Sequence, residues 1–464
     1  MTAHRNPHHL DCGTGLRQRL IRGFGATATG PIVTATIQLG SVPILLHIWG
    51  IAKYGDWLLL SAIPSYLTLS DLGLGDASGR DMAMRVAAGD RKGALQSFES
   101  SWVLVTSVSF AVLLLASTLV WWIPWQSWLR LYSLSSMQAA AVIMILGSYV
   151  VVCQQNGITE SGYRADGYFA RGTLYSTMLR LLEVVLATIV AALGGSLLLV
   201  ACTYLGTRLL GTAGYILLLR STSPWIQYGI RHVRLESIRQ LTLPAFGFMA
   251  FPLGQAFSFR GFTILLGAMV GPLAVVSFST LRTLSRISVQ VLSMVPISLW
   301  PELSRVFGQG NICLARRLHR LAWQASLILS LLGAMLLWIV GPFIYRLWVR
   351  QGVSFNSSCF RVLLLVAVMT CLWNASSVIL MSVNDHFRIA STYVAVTALS
   401  LVLGSIFIRM LGITGAALAL LLTEGWMTAL VLRSALRHLQ DSTNKFFRAI
   451  IAIDALMLQS SPDS

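Results

Sequence analysis

Apolar segments long enough to cross a bilayer follow one another along nearly all of this 464-residue chain, with only short polar breaks between them. A membrane span needs about 20 consecutive apolar residues in helical form, because backbone N–H and C=O groups find no partner in lipid unless the segment pairs them internally. Windows of that length place spans at roughly 24–48, 57–79, 97–123, 137–160, 172–193 and 196–219. Six more follow at roughly 241–270, 273–299, 321–345, 359–384, 388–410 and 413–433. The prediction is an all-α polytopic membrane protein of about twelve transmembrane helices. Composition agrees, since only 11% of residues are charged, against about 25% in a soluble domain.

The formal net charge of +17 would point to nucleic acid in a soluble protein. Here the basic residues concentrate in short loops, where they set orientation and attract anionic lipid, and no nucleic-acid partner is expected. Twelve spans with 23 Lys and Arg outside them on one side and 5 on the other put both termini in the cytoplasm. No outward loop has room for a catalytic domain, so no catalytic site is expected. Six singly scattered cysteines suggest no disulfide framework and no metal site, and no cofactor is expected. The basic N-terminus leads into an apolar run longer than a signal peptide's, which reads as an uncleaved first helix.

The two groups of six spans look like a repeat. Gly89-Asp90 recurs near Gly308, Asp166 matches Asp385, Leu193-Gly194 matches Leu411-Gly412, and Gln38 and Ser41 match Gln255 and Ser258, at offsets between 217 and 219. The expected organisation is a cytoplasmic tail (1–23), an N-terminal six-helix lobe (24–219), a cytoplasmic linker (220–240), a C-terminal lobe (241–433) and a cytoplasmic tail (434–464). Parallel repeats of this kind put the substrate path between the lobes.

Polar residues inside the spans then mark what lines that path. In the first span Thr27, Pro31, Thr34, Gln38 and Ser41 share one face, and in the fourth Ser148, Gln155, Thr159 and Tyr163 trace another. Such stripes serve either a cavity wall or ordinary interhelical hydrogen bonding. Among interior charges, Asp76 with Arg80, Glu160 with Arg164, and Arg180 with Glu183 read as local structural pairs. Arg208, Arg260, Arg282 and Arg286 have no such local partner, while Asp71 and Glu424 stand opposite them. Each Arg costs roughly 2.5–3.5 kcal/mol at a bilayer centre, so Arg282 and Arg286, four apart on one face, imply a water-filled or anion-holding interior. The surplus of positive charge favours an anion, and the guanidinium fork suits phosphate. The competing reading is salt bridging, for example Arg286 to Asp71 or Arg208 to Glu424. Arg260 lies about 140° around an ideal helix from Gln255, which aims it away from that polar face. Asp71 and Glu424 are also candidates for coupling to a proton or sodium gradient.

Several stretches resemble a known family. Tyr54-Gly55-Asp56-Trp57, Ser70-Asp71-Leu72-Gly73-Leu74-Gly75 and Ala88-Gly89-Asp90 are similar to the N-terminal half of bacterial polysaccharide exporters. Leu281-Arg282-Thr283-Leu284-Ser285-Arg286 and Leu299-Trp300-Pro301-Glu302-Leu303-Ser304-Arg305 are similar to their eighth helix and its cytoplasmic exit. These are the Wzx-type oligosaccharide-lipid flippases of the multidrug/oligosaccharidyl-lipid/polysaccharide (MOP) superfamily. The resemblance implies two six-helix lobes around a V-shaped cavity, alternating access, and a polyprenyl-pyrophosphate carrying an oligosaccharide as substrate. It further implies a bacterial inner-membrane location, a role in O-antigen, capsule or exopolysaccharide assembly, and a polymerase and assembly proteins as partners. Arg282 and Arg286 fit the family's cationic lumen, with Arg260, Arg208, Gln38, Gln255 and Gln155 as further substrate-binding candidates. Twelve spans depart from the fourteen of peptidoglycan-precursor flippases. Rival readings are a multidrug cation exporter, which calls for an acidic, aromatic-lined cavity, and a membrane glycan polymerase or ligase, which calls for a large outer loop.

Overall fold

The structure, a computed structural model, describes residues 12–71, 74–234, 236, 252–292, 299, 303, 305–307, 309–349, 353–383 and 387–451. Among the described residues every regular element is helical. Helix α1 (Cys12–Ala62) breaks at Gly50, whose φ of 70° and ψ of 176° lie outside helical space and suit a residue without a Cβ. A 3-10 segment (Pro64–Asp71) leads into α2 (Leu74–Ala87), followed by α3 (Arg91–Leu119), α4 (Ser136–Ala165), α5 (Phe169–Ala192) and α6 (Leu197–Thr222). After the undescribed stretch come a π-helical turn (Phe257–Gly261), α7 (Phe262–Met269), α8 (Pro272–Leu292), α9 (Ile312–Trp348), α10 (Ser357–Ser382), α11 (Phe387–Leu411), α12 (Ile413–His438) and the short α13 (Thr443–Ile451).

Nine helices among the described residues are long and apolar enough to cross a membrane. The distance from the expected twelve has physical reasons. The first two spans run together through Gly50, the seventh begins outside the described residues, and α8 mixes Arg282 and Arg286 with hydroxyl residues and so is less apolar than the rest. Helices also outrun their apolar windows. Helix α1 starts at Cys12, inside the expected tail, and α9 starts at Ile312, nine residues before its window. An apolar window registers composition only, whereas the helix carrying Arg316, Arg317 and Arg320 continues beyond it, with Arg316 bonded to the Leu439 carbonyl and Arg320 to Asp441.

Two loops turn into helices by the same device. Gly89 (φ 80°) precedes Asp90, which caps α3 by accepting from the Gly93 amide at 2.8 Å, and Gly310 (φ 70°) precedes Asn311, which caps α9 through the Leu314 amide at 3.1 Å. The expected counterpart, Gly308, lies outside the described residues, and the matching device stands two positions later. Gly50 with Gly271, and Gly194 with Gly412, pair in the same way at corresponding junctions. Asp385, the expected match of Asp166, lies outside the described residues.

Helices α2 to α6 pack chiefly on one another, as do α8 to α12, and the main seam between these sets is α1 against α8. Close backbone approach holds that seam. A Cβ on Gly55 would stand 2.6 Å from the Cβ of Pro272 at the start of α8. Trp348 donates from Nε1 to the Leu39 carbonyl at 2.7 Å. In the Tyr54–Trp57 stretch, fully buried Asp56 accepts from the Ser133 amide (2.7 Å) and hydroxyl (2.6 Å), pinning the loop before α4. Within that motif Asp56 is architectural.

Candidate functional site: a cationic cavity between the helix sets

Helix α8 carries Ser279, Arg282, Thr283, Arg286 and Gln290, spaced so that all five share one face. This face meets the Gln38–Ser41 face of α1 across a cavity of about 480 Å³. Beyond the Gly50 break, α1 adds Tyr54 and Trp57, α6 adds Tyr204, and the π turn adds Phe259 and Arg260. Three arginines and no carboxylate line it, so the cavity is cationic among the described residues. Gln290 donates to Gln38 at 3.1 Å, joining the two polar faces.

The π turn explains Arg260. A turn with i→i+5 bonding holds one more residue than an α turn, so ideal-helix angles counted through it are wrong. The expectation that Arg260 points away from the path is therefore corrected, because it lines the cavity. The same turn presents carbonyls to α8: Arg282 donates from Nη2 to Ser258 O at 3.0 Å and from Nη1 to Phe259 O at 3.4 Å. Both α8 guanidiniums lie over the Phe259 ring, Arg282 at 4.1 Å and Arg286 at 4.0 Å from its centroid. A desolvated cation–π contact is worth about 2 kcal/mol, less than the roughly 2.5–3.5 kcal/mol that burial in a membrane costs. Arg282 makes up the difference with its carbonyl bonds. Neither Arg286 nor Arg260 makes a hydrogen bond or ion pair with any described residue.

Behind the arginines lies a second, water-sized space of about 20 Å³ between α8, α10 and α12. Ser258, Arg282, Ser285, Arg286 and Thr370 line it together with Glu424. Glu424 is 5% exposed and accepts from Trp373 Nε1 at 2.6 Å and Thr370 Oγ1 at 3.0 Å. The expected alternative pairings, Arg286 with Asp71 and Arg208 with Glu424, are not the ones formed among the described residues. Asp71 accepts from the Gly75 amide at 3.3 Å, at the start of α2.

Several expectations are corrected. Arg208 is 6% exposed and pairs with Glu183 across α5 and α6 at 2.5 Å, with Tyr149 donating to the same carboxylate at 3.0 Å, so it does not line the cavity. Glu183 thus pairs between helices in preference to Arg180 three residues back, which is exposed. Gln255 is exposed and outside the cavity lining, because the π turn separates its face from that of Arg260. Gln155 accepts from Thr106 of α3 at 3.2 Å and Thr159 bonds Tyr228 of the segment after α6 at 2.6 Å, so these two residues of the α4 stripe serve packing contacts. Thr27, Pro31, Asp76 and Arg80 lie outside the described side chains. Sequence reasoning missed Phe259, Tyr204, Trp57 and Gln290; only Gln290 had a signal, four residues beyond Arg286 on the same face.

The helical bundle of the described residues has a MATE/MOP-like fold, shared with solved structures. An inward-facing multidrug resistance MATE family transporter of the MOP superfamily superposes with a TM-score of 0.69 at 14% identity, covering 88% of this chain and 94% of that one. Lipid II flippase MurJ, in an inward closed conformation, gives a TM-score of 0.69 at 14% identity, with 96% and 94% covered. A MOP superfamily transporter from Pyrococcus furiosus, whose reverse polarity of the binding pocket suggests a different function, gives 0.63 at 14% identity, with 92% and 96% covered. No protein-family model and no curated protein matches the chain.

Proposed function

We propose that the protein is a flippase that carries polyprenyl-pyrophosphate-linked oligosaccharides across the bacterial inner membrane by alternating access. The observation that carries this reading is the cavity's charge: Arg260, Arg282 and Arg286 face one space with no lining carboxylate among the described residues. A pyrophosphate offers several oxygens to such a cluster, and paired guanidinium bonds are strong where water is excluded. Gln38, Ser41, Thr283 and Gln290 supply hydrogen-bond partners for sugars. On the other side of the α1–α8 seam, an apolar groove of about 940 Å³, lined by Leu39, Ile44, Leu284, Ile287 and Trp348 among others, suits the prenyl chain. Glu424, beside the arginines, is the candidate for coupling to a proton or sodium gradient, ahead of Asp71.

The test is made in cells that depend on the protein for a surface polysaccharide. R282A and R286A, each still inserted in the membrane, are expected to abolish the polysaccharide, and unchanged polysaccharide in both overturns the reading. A second reading, a multidrug exporter, draws support from the first of the structural neighbours and from Tyr54, Trp57 and Tyr204 in the cavity wall. Among the described residues the cavity wall has no carboxylate of the kind a cationic drug needs. Raised resistance to cationic dyes on expression favours it.

A further inference from the structure

At the opposite end of α12 from Gly412, two arginines one turn apart stand over a second cavity. Arg433, Ser434, Arg437 and His438 of α12 and Thr392 of α11 form its polar part, while Ile389, Met427 and Leu430 form its apolar part, in a volume of about 440 Å³. No acidic side chain lines it among the described residues. The nearby carboxylate of Asp441 is already held by Arg320 of α9, through Nη2 at 2.8 Å and Nε at 3.0 Å, and so does not neutralise the pair. Arg433 and Arg437 are exposed and make no side-chain hydrogen bond or ion pair with a described residue.

From this arrangement we infer a binding site for an anionic glycerophospholipid. From Met427 to His438 the helix rises about 16 Å, close to half the hydrocarbon thickness of a bilayer. The polar groups therefore fall at the level of headgroups and the apolar ones at the level of the first part of an acyl chain. Basic pockets between transmembrane helices on the side rich in Lys and Arg are where anionic headgroups settle. The two guanidiniums reach one phosphate from adjacent turns, and the Thr392 and Ser434 hydroxyls stand beside them. This site lies apart from the central cavity, since the two share no lining residue.

Native mass spectrometry of the full-length protein, titrated with phosphatidylglycerol or phosphatidylcholine, tests it. Preference for phosphatidylglycerol is expected, and R433Q/R437Q is expected to weaken its binding roughly thirtyfold, each surface charge being worth about a factor of five. R260Q/R286Q in the central cavity and the charge-matched R220Q/R231Q, at the same basic end of the other helix set, are expected to leave it within about twofold. Three results overturn the site: undiminished phosphatidylglycerol binding in R433Q/R437Q, an equal loss in either control pair, or displacement of the lipid by inorganic phosphate at matching concentration.

Discussion

Arg282 and Arg286 sit one turn apart on α8, yet they are held in different ways. Arg282 ties α8 to the carbonyls of the π turn, whereas Arg286 touches only the Phe259 ring for its charge. R286A is therefore expected to remove ligand binding with little change in thermal stability, and R282A to lower both; equal melting temperatures for the two variants would show that the carbonyl bonds contribute nothing. Arg208 belongs to another category. Its side chain is 8% exposed and that of Glu183 1%, so removing one partner is expected to cost about 3–5 kcal/mol, seen as a lower melting temperature and reduced yield. The double change E183L/R208L should recover most of that loss, and a failure to recover would mean the pair contributes more than charge balance. The α8 arginines were legible in the sequence because two charges on one face of an apolar helix have few uses. The partner of Arg208 was not, because α5–α6 contact decides it and the nearer Arg180 is a decoy.

Among the elements, the π turn at Phe257–Gly261 does most to shape the site, placing Arg260 on the wall and presenting the Ser258 and Phe259 carbonyls to Arg282. Nothing in the residues from Phe257 to Gly261 announces it, since an extra residue in a turn changes the count and not the composition. Apolar windows located the helices but not their ends, which continue past the windows, as α9 does through Arg316, Arg317 and Arg320. The α4 stripe shows the limit of periodicity as a guide: it was real, and it faces Thr106 and Tyr228 instead of the cavity. Close packing gives a prediction at this scale. A Cβ on Gly415 would collide with the Phe407 carbonyl where α11 turns into α12. G415A is thus expected to destabilise the C-terminal set, read as a lower melting temperature, with G425A, which meets nothing within 4 Å, as the neutral control. Equal behaviour of the two would contradict the described approach.

For the whole molecule, the cavity lies where the two helix sets meet. Each set packs chiefly on itself, and the polar faces of α1 and α8 meet at the seam. The offsets in the sequence suggested a path between two halves, but the match of Gln38 with Gln255 did not carry over to shared lining. Glu424, behind the arginines, is the proposed coupling group. E424Q is expected to make transport insensitive to an imposed proton or sodium gradient while retaining ligand binding; a gradient response equal to the native protein's would remove Glu424 from that role. The central claim, that the arginine-lined cavity moves a pyrophosphate-linked headgroup, is tested most directly in vesicles containing the purified protein and a labelled polyprenyl-pyrophosphate oligosaccharide. Accessibility of the sugar to an externally added lectin follows translocation in time. Loss of two charged contacts should slow R260A/R286A at least about tenfold relative to the native protein. Translocation at the native rate in that variant would contradict the account.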